Sequence, residues 1–181
     1  VLLIPAFAKP RTVSGNAITP INRQILTKNL TRMKNLFDKK CTTEIISRIH
    51  NLTPTSQRLW GKMEVDQMLA HCRKTLEMAT GDKVLPRVLI GKLIGRFFVK
   101  ELSSEKPLGK NGPTDKTLKI ENRKDFEIEK QKLIEYIDKF QAGGEEKCTT
   151  HPHPFFGKVT PTEWSIGMYK HLDHHLRQFG V

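Results

Sequence analysis

The sequence has no apolar run of the roughly 18 residues that a membrane-spanning helix needs, so no transmembrane segment is predicted. Cysteine is also scarce: Cys41, Cys72 and Cys148 are the only three, and they form no CxxC pair. An odd number of cysteines at wide spacing argues against a disulfide framework and for a reducing compartment. These absences lead us to expect a cytoplasmic protein.

Aromatic residues are few, and acidic residues are missing from the first 32 positions. Aromatics make up 7% of the chain, whereas nucleic-acid-binding modules commonly interleave aromatics with clustered basic residues. Five of the twelve net positive charges lie in residues 1–32. The others are spread along Lys- and Glu-rich segments, as on a solvated surface. We therefore do not expect nucleic acid to be a partner.

Residues 1–32 also differ in pattern from the rest of the chain. Residues 1–8, VLLIPAFA, resemble the end of a signal segment with a small-residue cleavage site, although no charged region precedes them. A polar, aperiodic stretch follows, and Met33 begins a sequence that resembles a natural protein start. We expect residues 1–32 to be a disordered leader or no part of the domain, and residues 33–181 to form one domain. If residues 1–8 are the remnant of a signal peptide, the protein is exported.

Capping and periodicity signals predict an all-α fold with four main helices and no convincing strand. The last helix has the clearest start, because Thr160 can cap it, Pro161 suits its first turn and Glu163 completes a capping box. The predicted helices run from Thr42 or Thr43 to His50, from about Val65 to Thr80, from about Asp125 to Ala142 and from Thr160 to about Phe179.

A further apolar and basic stretch, residues 84–100, is predicted to form a shorter helix. It contains Lys92, Arg96 and Lys100 among leucine, isoleucine and phenylalanine. This pattern suits either a membrane-surface helix or a helix docked on the others, with its basic side chains extending past the apolar surface. We favour the docked helix, because the composition falls short of an interfacial anchor.

The last predicted helix carries two histidines on its apolar side. At about 100° per residue, His175 falls within the apolar stripe and His171 falls at its edge. Side chains four residues apart are neighbours on a helix, so both imidazoles can converge on one metal ion. HxxxH pairs are common in helices, and without a third ligand a hydrogen-bonded or exposed pair is the better interpretation. The other stripe residues are Trp164, Met168, Leu172 and Phe179.

His71 is the candidate third ligand. It lies in the apolar stretch of the second predicted helix, between Met68 and Thr75. Core histidines are more often satisfied by hydrogen bonds, yet imidazoles on two facing helices are what a metal site within a helical bundle requires. Three nitrogen ligands leave one position open, as in catalytic zinc sites. Imidazole suits Zn, Ni and Fe alike, so the divalent transition metal is not identified.

His174 is the alternative to His175, and a site built from His171 and His174 stays open. His175 is preferred because it lies in the middle of the stripe, whereas His174 lies about 60° beyond His171. Asp173 or His174 is a candidate to orient a metal ligand through a hydrogen bond.

Two loops, residues 103–117 and 148–158, are expected to shape a pocket beside the histidines. His153 in the second loop is a candidate for the pocket mouth, although a polar loop residue is the simpler interpretation. No general base is assigned, because Glu64 and Asp66, like Asp173, are near the histidines only in sequence or helix face.

Four stretches resemble a bacterial family of unknown function within the DinB/YfiT-like superfamily of metalloenzymes. The resemblance covers about residues 33–181, and it implies an up-down-down-up four-helix bundle, often a homodimer, here with an insertion at 84–118. In that superfamily one histidine on the second helix and an HxxxH pair on the fourth bind nickel, zinc or a similar ion. These positions match His71, His171 and His175. The four stretches are residues 60–63 (WGKM), 67–72 (QMLAHC), 153–158 (HPFFGK) and 169–180 (YKHLDHHLRQFG).

The resemblance implies a metal-dependent enzyme. Superfamily members include thiol S-transferases that use low-molecular-weight thiols, a thiol-dependent isomerase and candidate hydrolases. The expected partner is therefore a small-molecule substrate, with a low-molecular-weight thiol as a candidate, and the expected chemistry is activation of water or a thiol by the metal. The alternative is a non-catalytic helical bundle that binds metal or serves as an interaction platform.

Overall fold

The computed structural model describes residues 33–102, 104–112 and 115–181, and this part of the chain is all-α, as predicted. Within these ranges no strand is present, and a short 3-10 helix, Lys116–Leu118, precedes the fourth α-helix. The leader expected at residues 1–32 lies outside the described residues. The α-helices are α1 (Lys39–His50), α2 (Val65–Ala79), α3 (Leu89–Leu102), α4 (Phe126–Gly143) and α5 (Pro161–Gln178).

The start of α1 differs from the prediction. Asp38 caps the helix, and its carboxylate accepts a hydrogen bond from the backbone nitrogen of Lys40 at 2.8 Å. The predicted caps lie inside the helix: Thr43 donates its hydroxyl to the carbonyl of Lys39 at 2.9 Å, and Thr42 is buried. The prediction was wrong because Asp38 offers the same capping chemistry one turn earlier.

The start of α5 and the end of α2 match the prediction. The Thr160 hydroxyl accepts from the backbone nitrogen of Glu163 at 3.2 Å, and the Glu163 carboxylate accepts from the backbone nitrogen of Thr160 at 2.8 Å. This reciprocal pair satisfies donors that would otherwise be unpaired at the helix start. After α2, Gly81 adopts a φ of 81°, which favours glycine and ends the helix.

Four helices, α1, α2, α4 and α5, share the larger apolar core. Helix α2 packs along α4 and α5, and α1 packs against the same two helices. Each aliphatic side chain that is fully buried there contributes roughly 1.5–3 kcal/mol. The contact between α2 and α5 positions the three histidines. Fully buried members of this core include Ile45, Leu69, Leu76, Ile137 and Trp164.

Helix α3 belongs to a second, smaller cluster with Phe155 and Phe156. Its glycines allow this contact: a Cβ added to Gly91 would lie 2.6 Å from the carbonyl oxygen of Phe155, and one added to Gly95 would collide with the same atom. The helix is docked, as predicted, but through its glycine face. The large apolar side chains on the opposite face of α3 remain exposed to solvent.

Among the described residues, no helix combines the length and the apolar composition that crossing a bilayer requires.

We expect Gly95→Ala to loosen α3 while the larger core stays folded. A backbone carbonyl cannot rotate away from the added Cβ, so overpacking should weaken the docking by about 1–3 kcal/mol. Hydrogen exchange should then be faster at α3 amides and unchanged in α4. Gly109→Ala is the matched control, since nothing lies within 4 Å of a Cβ at that position. Equal α3 exchange rates in the two variants would contradict this docking geometry.

Candidate metal centre

Three buried histidines from two helices meet at one point. His71 on α2 is 0% exposed, and His171 and His175 on α5 are each 3% exposed. One ring nitrogen from each lies within 4.8 Å of the others, and the ring centroids are 4.6 to 5.1 Å apart. The structure therefore brings together the three side chains that a shared metal ligand set needs.

The tautomer of His71 is set by a backbone carbonyl. Its Nδ1 lies 2.9 Å from the carbonyl oxygen of Leu118, in the 3-10 helix. Because a carbonyl oxygen can only accept, Nδ1 carries the proton and Nε2 presents a lone pair. That Nε2 lies 3.1 Å from Nε2 of His171.

The tautomer of His175 is set by the side chain of Gln178. Gln178 donates its amide nitrogen to the carbonyl of Trp60 at 2.7 Å, which orients its oxygen toward Nδ1 of His175 at 2.9 Å. Nδ1 is therefore the donor. Nε2 of His175 is buried and has no hydrogen-bond partner among the described residues.

Gly61 makes room for this arrangement. It adopts a φ of 79°, and a Cβ at that position would collide with the amide nitrogen of Gln178. The Trp60-Gly61 pair thus fixes the side chain that orients His175.

His171 completes the set through a threonine. The Thr75 hydroxyl donates to the carbonyl of Cys72 at 2.7 Å, and its oxygen lies 3.3 Å from Nδ1 of His171. With its proton engaged by Cys72, the hydroxyl oxygen accepts from Nδ1. His171 then also presents an unprotonated Nε2.

Three imidazole lone pairs therefore face one another in a buried space. Histidines that ligate metals usually donate their other ring nitrogen to a carbonyl or similar acceptor, as all three do here. Without a cation, the Nε2 atoms of His71 and His171 face each other, and Nε2 of His175 stays buried and unpaired at a cost of about 1–3 kcal/mol. The donor set fits a divalent transition metal ion.

Burial keeps these imidazoles in the form that binds metals. Desolvation lowers the pKa of His71 and of His171 well below the usual range, and it lowers the pKa of His175 to about 3. A neutral imidazole has a free lone pair, so the set is ready to ligate a cation at neutral pH.

Asp173 and His174 lie on α5 beside the cluster, and His174 is buried. The Asp173 carboxylate pairs with Arg48 at 2.8 Å and with Arg177 at 2.9 Å. The His174 ring lies beside that of His175, with centroids 5.1 Å apart, yet the nitrogen cluster includes His175 rather than His174. Among the described residues, neither side chain forms a hydrogen bond with a ring of the cluster, and the role of Asp173 or His174 in orienting a ligand stays a prediction.

His153 lies between its loop and a small cavity. Its Nδ1 accepts hydrogen bonds from the backbone nitrogens of Phe155 at 3.1 Å and Phe156 at 3.3 Å. This atom therefore stabilises the turn that follows His153. The cavity, of about 40 Å³, is also lined by His171 and Trp164. It has room for a few water molecules. His153 thus lines the small cavity beside the cluster, and its place at a pocket mouth stays a prediction.

A larger open groove of about 810 Å³ lies on the other side of the loop that contains Pro107 and Leu108, and these two residues line both spaces. Lys170 holds this loop by donating to the carbonyls of Glu101 and Ser104, each at 2.8 Å. Burial lowers the pKa of Lys170 to about 8. Because Pro107 and Leu108 line both spaces, the loop separates the groove from the cavity beside His171.

A family model described as "Protein of unknown function (DUF1569)" matches residues 30–180. The chain belongs to the DUF1569 family. No curated protein and no solved structure matches it. The family match confirms the resemblance to a family of unknown function and provides no support for the wider DinB/YfiT-like placement.

In this DUF1569 chain the acidic residues near His71 in sequence, Asp66 and Glu64, form ion pairs with arginines. Asp66 is 1% exposed; it pairs with Arg123 at 2.9 Å and accepts from the backbone nitrogen of Lys124 at 2.5 Å. Glu64 pairs with Arg58 at the start of α2. Both carboxylates are engaged away from the histidine cluster.

Sequence reasoning missed the groups that orient the histidines. Gln178 follows His175 by three residues and so shares its helix face, a signal that was available. Thr75 lies on the helix of His71 but contacts His171, and the Leu118 carbonyl comes from the distant 3-10 helix. No local pattern in the sequence indicates these last two contacts.

Proposed function

We propose that this protein binds one divalent transition metal ion through Nε2 of His71, His171 and His175, and that it is a metal-dependent enzyme. One observation carries the proposal: each Nδ1 lies within hydrogen-bond distance of a protein oxygen, and the three buried Nε2 atoms face one another. Three protein ligands leave a coordination position for substrate or water, as in catalytic sites.

We also propose a DinB/YfiT-like four-helix bundle of up-down-down-up topology. It is supported by the core that α1, α2, α4 and α5 share, and by the separate cluster of α3. The histidines lie on α2 and α5, the second and fourth of these four helices. A homodimer and a cytoplasmic location stay predictions from the sequence.

The proposed reaction is hydrolysis or thiol transfer on a small molecule. When bound, a divalent ion supplies Lewis acidity, which favours the ionised form of water or of a thiol. Gln178, Thr75 and the Leu118 carbonyl keep the three imidazoles oriented. The small cavity beside His171 limits bulk water, and Pro107 and Leu108 lie between it and the groove.

The groove favours an anionic substrate. Its lining includes six basic side chains and three acidic ones, and an excess of positive charge attracts anions. Lys106 and Lys110 have no carboxylate partner among the described residues, and the Lys110 ammonium lies 4.2 Å from the centroid of a Trp60 ring. A carboxylate on the substrate could pair with these two lysines.

A non-catalytic metal site is the second candidate. It is favoured by the near-complete burial of the three histidines and by the small size of the cavity beside them. A structural site is closed, whereas a catalytic site admits an exogenous ligand.

Cobalt substitution distinguishes the two candidates. We expect the Co²⁺-loaded protein to develop a thiolate-to-cobalt charge-transfer band on titration with 2-mercaptoethanol, and azide to shift its visible bands, because one coordination position is open. His174→Ala should behave as wild type, and His175→Ala should give neither spectrum. Cobalt binding with no response to either ligand would support the closed, non-catalytic site; no cobalt binding would overturn both candidates.

A further inference from the structure

Helix α3 presents an apolar stripe to solvent. Leu89, Leu93 and Phe97 are 79%, 76% and 77% exposed, and their four-residue spacing places them in one row. Ile90, 53% exposed, lies beside this row. Of the seven large hydrophobic side chains that are exposed among the described residues, four are in α3. Such a concentration marks an interaction surface rather than scattered exposure.

The opposite face of α3 holds this stripe outward. Gly91 and Gly95 lie against the backbone of Phe155, and Leu102 packs on Gly167 of α5. The stripe is therefore exposed on a docked helix, and turning it inward would require breaking the glycine contact.

Basic side chains flank the stripe. Lys92 and Arg96 are exposed and, at about 100° per residue, lie along one edge of the row. The sequence has no acidic residue between Asp82 and Glu101. The exposed face thus places an apolar row beside positive charge, an arrangement that a lipid interface complements even though the whole stretch is less basic than a typical interfacial anchor.

The positive charge on α3 decides between two partners for this face, a second copy of the chain and an anionic lipid surface. In a two-fold dimer through α3, the same patch would meet itself, bringing Lys92 and Arg96 toward their own copies. Like charges across an interface oppose association. An anionic lipid surface instead complements both the positive edge and the apolar row.

We propose that α3 binds the surface of membranes that contain anionic lipid. Leu89, Leu93 and Phe97 enter the boundary between head groups and acyl chains, while Lys92 and Arg96 contact the head groups. This binding is independent of the metal centre.

Vesicle sedimentation of the full chain tests the proposal. We expect binding to phosphatidylcholine vesicles that contain phosphatidylglycerol and little binding to phosphatidylcholine alone. Leu93→Ser/Phe97→Ser should weaken binding about tenfold or more at unchanged net charge, because two anchoring side chains are lost. Lys92→Gln/Arg96→Gln should weaken it in a way that high salt mimics.

The matched control is Leu59→Ser/Ile128→Ser, which removes two other exposed hydrophobics, 69% and 51% exposed. This variant should bind as wild type, and all variants should keep the wild-type melting temperature, since the changed side chains are exposed. Residues 1–32 are common to all, so a difference between variants reports on α3. Equal binding by wild type and Leu93→Ser/Phe97→Ser, absence of vesicle binding, or a dimer that Leu93→Ser/Phe97→Ser converts to monomer would each overturn the proposal.

Discussion

Alanine at His71, His171 or His175 is expected to abolish metal binding, from about one ion per chain in the wild type to almost none. A three-ligand site that loses one ligand retains only two protein contacts, too few to hold an ion through purification. Elemental analysis of the purified variants measures this directly. The closeness of the ring nitrogens makes the three positions equivalent in this test.

His174→Ala is the matched control, because it removes a neighbouring histidine on the same helix that lies outside the nitrogen cluster. It should retain the metal. Gln178→Leu should lower the metal affinity about 10–100-fold, because it removes the hydrogen-bond partner of His175 Nδ1 but leaves all three ligands in place. Its affinity should therefore lie between that of His174→Ala and that of the three ligand variants. A wild type without metal, or a His175→Ala variant that keeps it, would remove the basis of the proposed function.

Acidification below about pH 6.5 is expected to destabilise the metal-free protein, a second large effect. Burial holds the pKa of His153 and of His175 at about 3 and the pKa of His71 and His171 well below the ordinary 6.5. Below pH 6.5 the unfolded chain therefore binds protons that the folded chain does not bind. The free energy of unfolding decreases as the pH falls. Each imidazole that stays neutral in the folded state lowers the free energy of unfolding by about 1.4 kcal/mol for each pH unit below 6.5.

Urea unfolding between pH 8 and pH 4 measures this slope. His153→Gln should make the slope shallower by about one proton, with His151→Gln, at an exposed loop position, as the matched control. Excess Zn²⁺ should move the transition to lower pH, because protons and metal compete for the same lone pairs. A free energy of unfolding that is constant from pH 8 to pH 4 would show that these histidines are not buried in neutral form.

The predictable features were those encoded by local spacing. The phase of α5 placed His171 and His175 on its inner side, and the capping box at Thr160 placed its start, because both depend on residues within one or two turns. The start of α1 was misplaced because Asp38 and Thr42 have similar capping propensity and the sequence does not rank them.

Other features depend on tertiary contacts that no window of sequence contains. The Leu118 carbonyl reaches His71 from 47 positions along the chain. For α3, the spacing of apolar residues is the same whether the leucine face or the glycine face packs inward. Only the contact of Gly95 with Phe155 decides between them.

The contact between Gly61 and Gln178 has a consequence for how this family can diverge. Any side chain at position 61 would displace the amide that orients His175. Positions 61 and 178 should therefore vary together across homologues: sequences that keep glutamine at 178 should keep glycine at 61, and those that lose the glycine should have lost the glutamine.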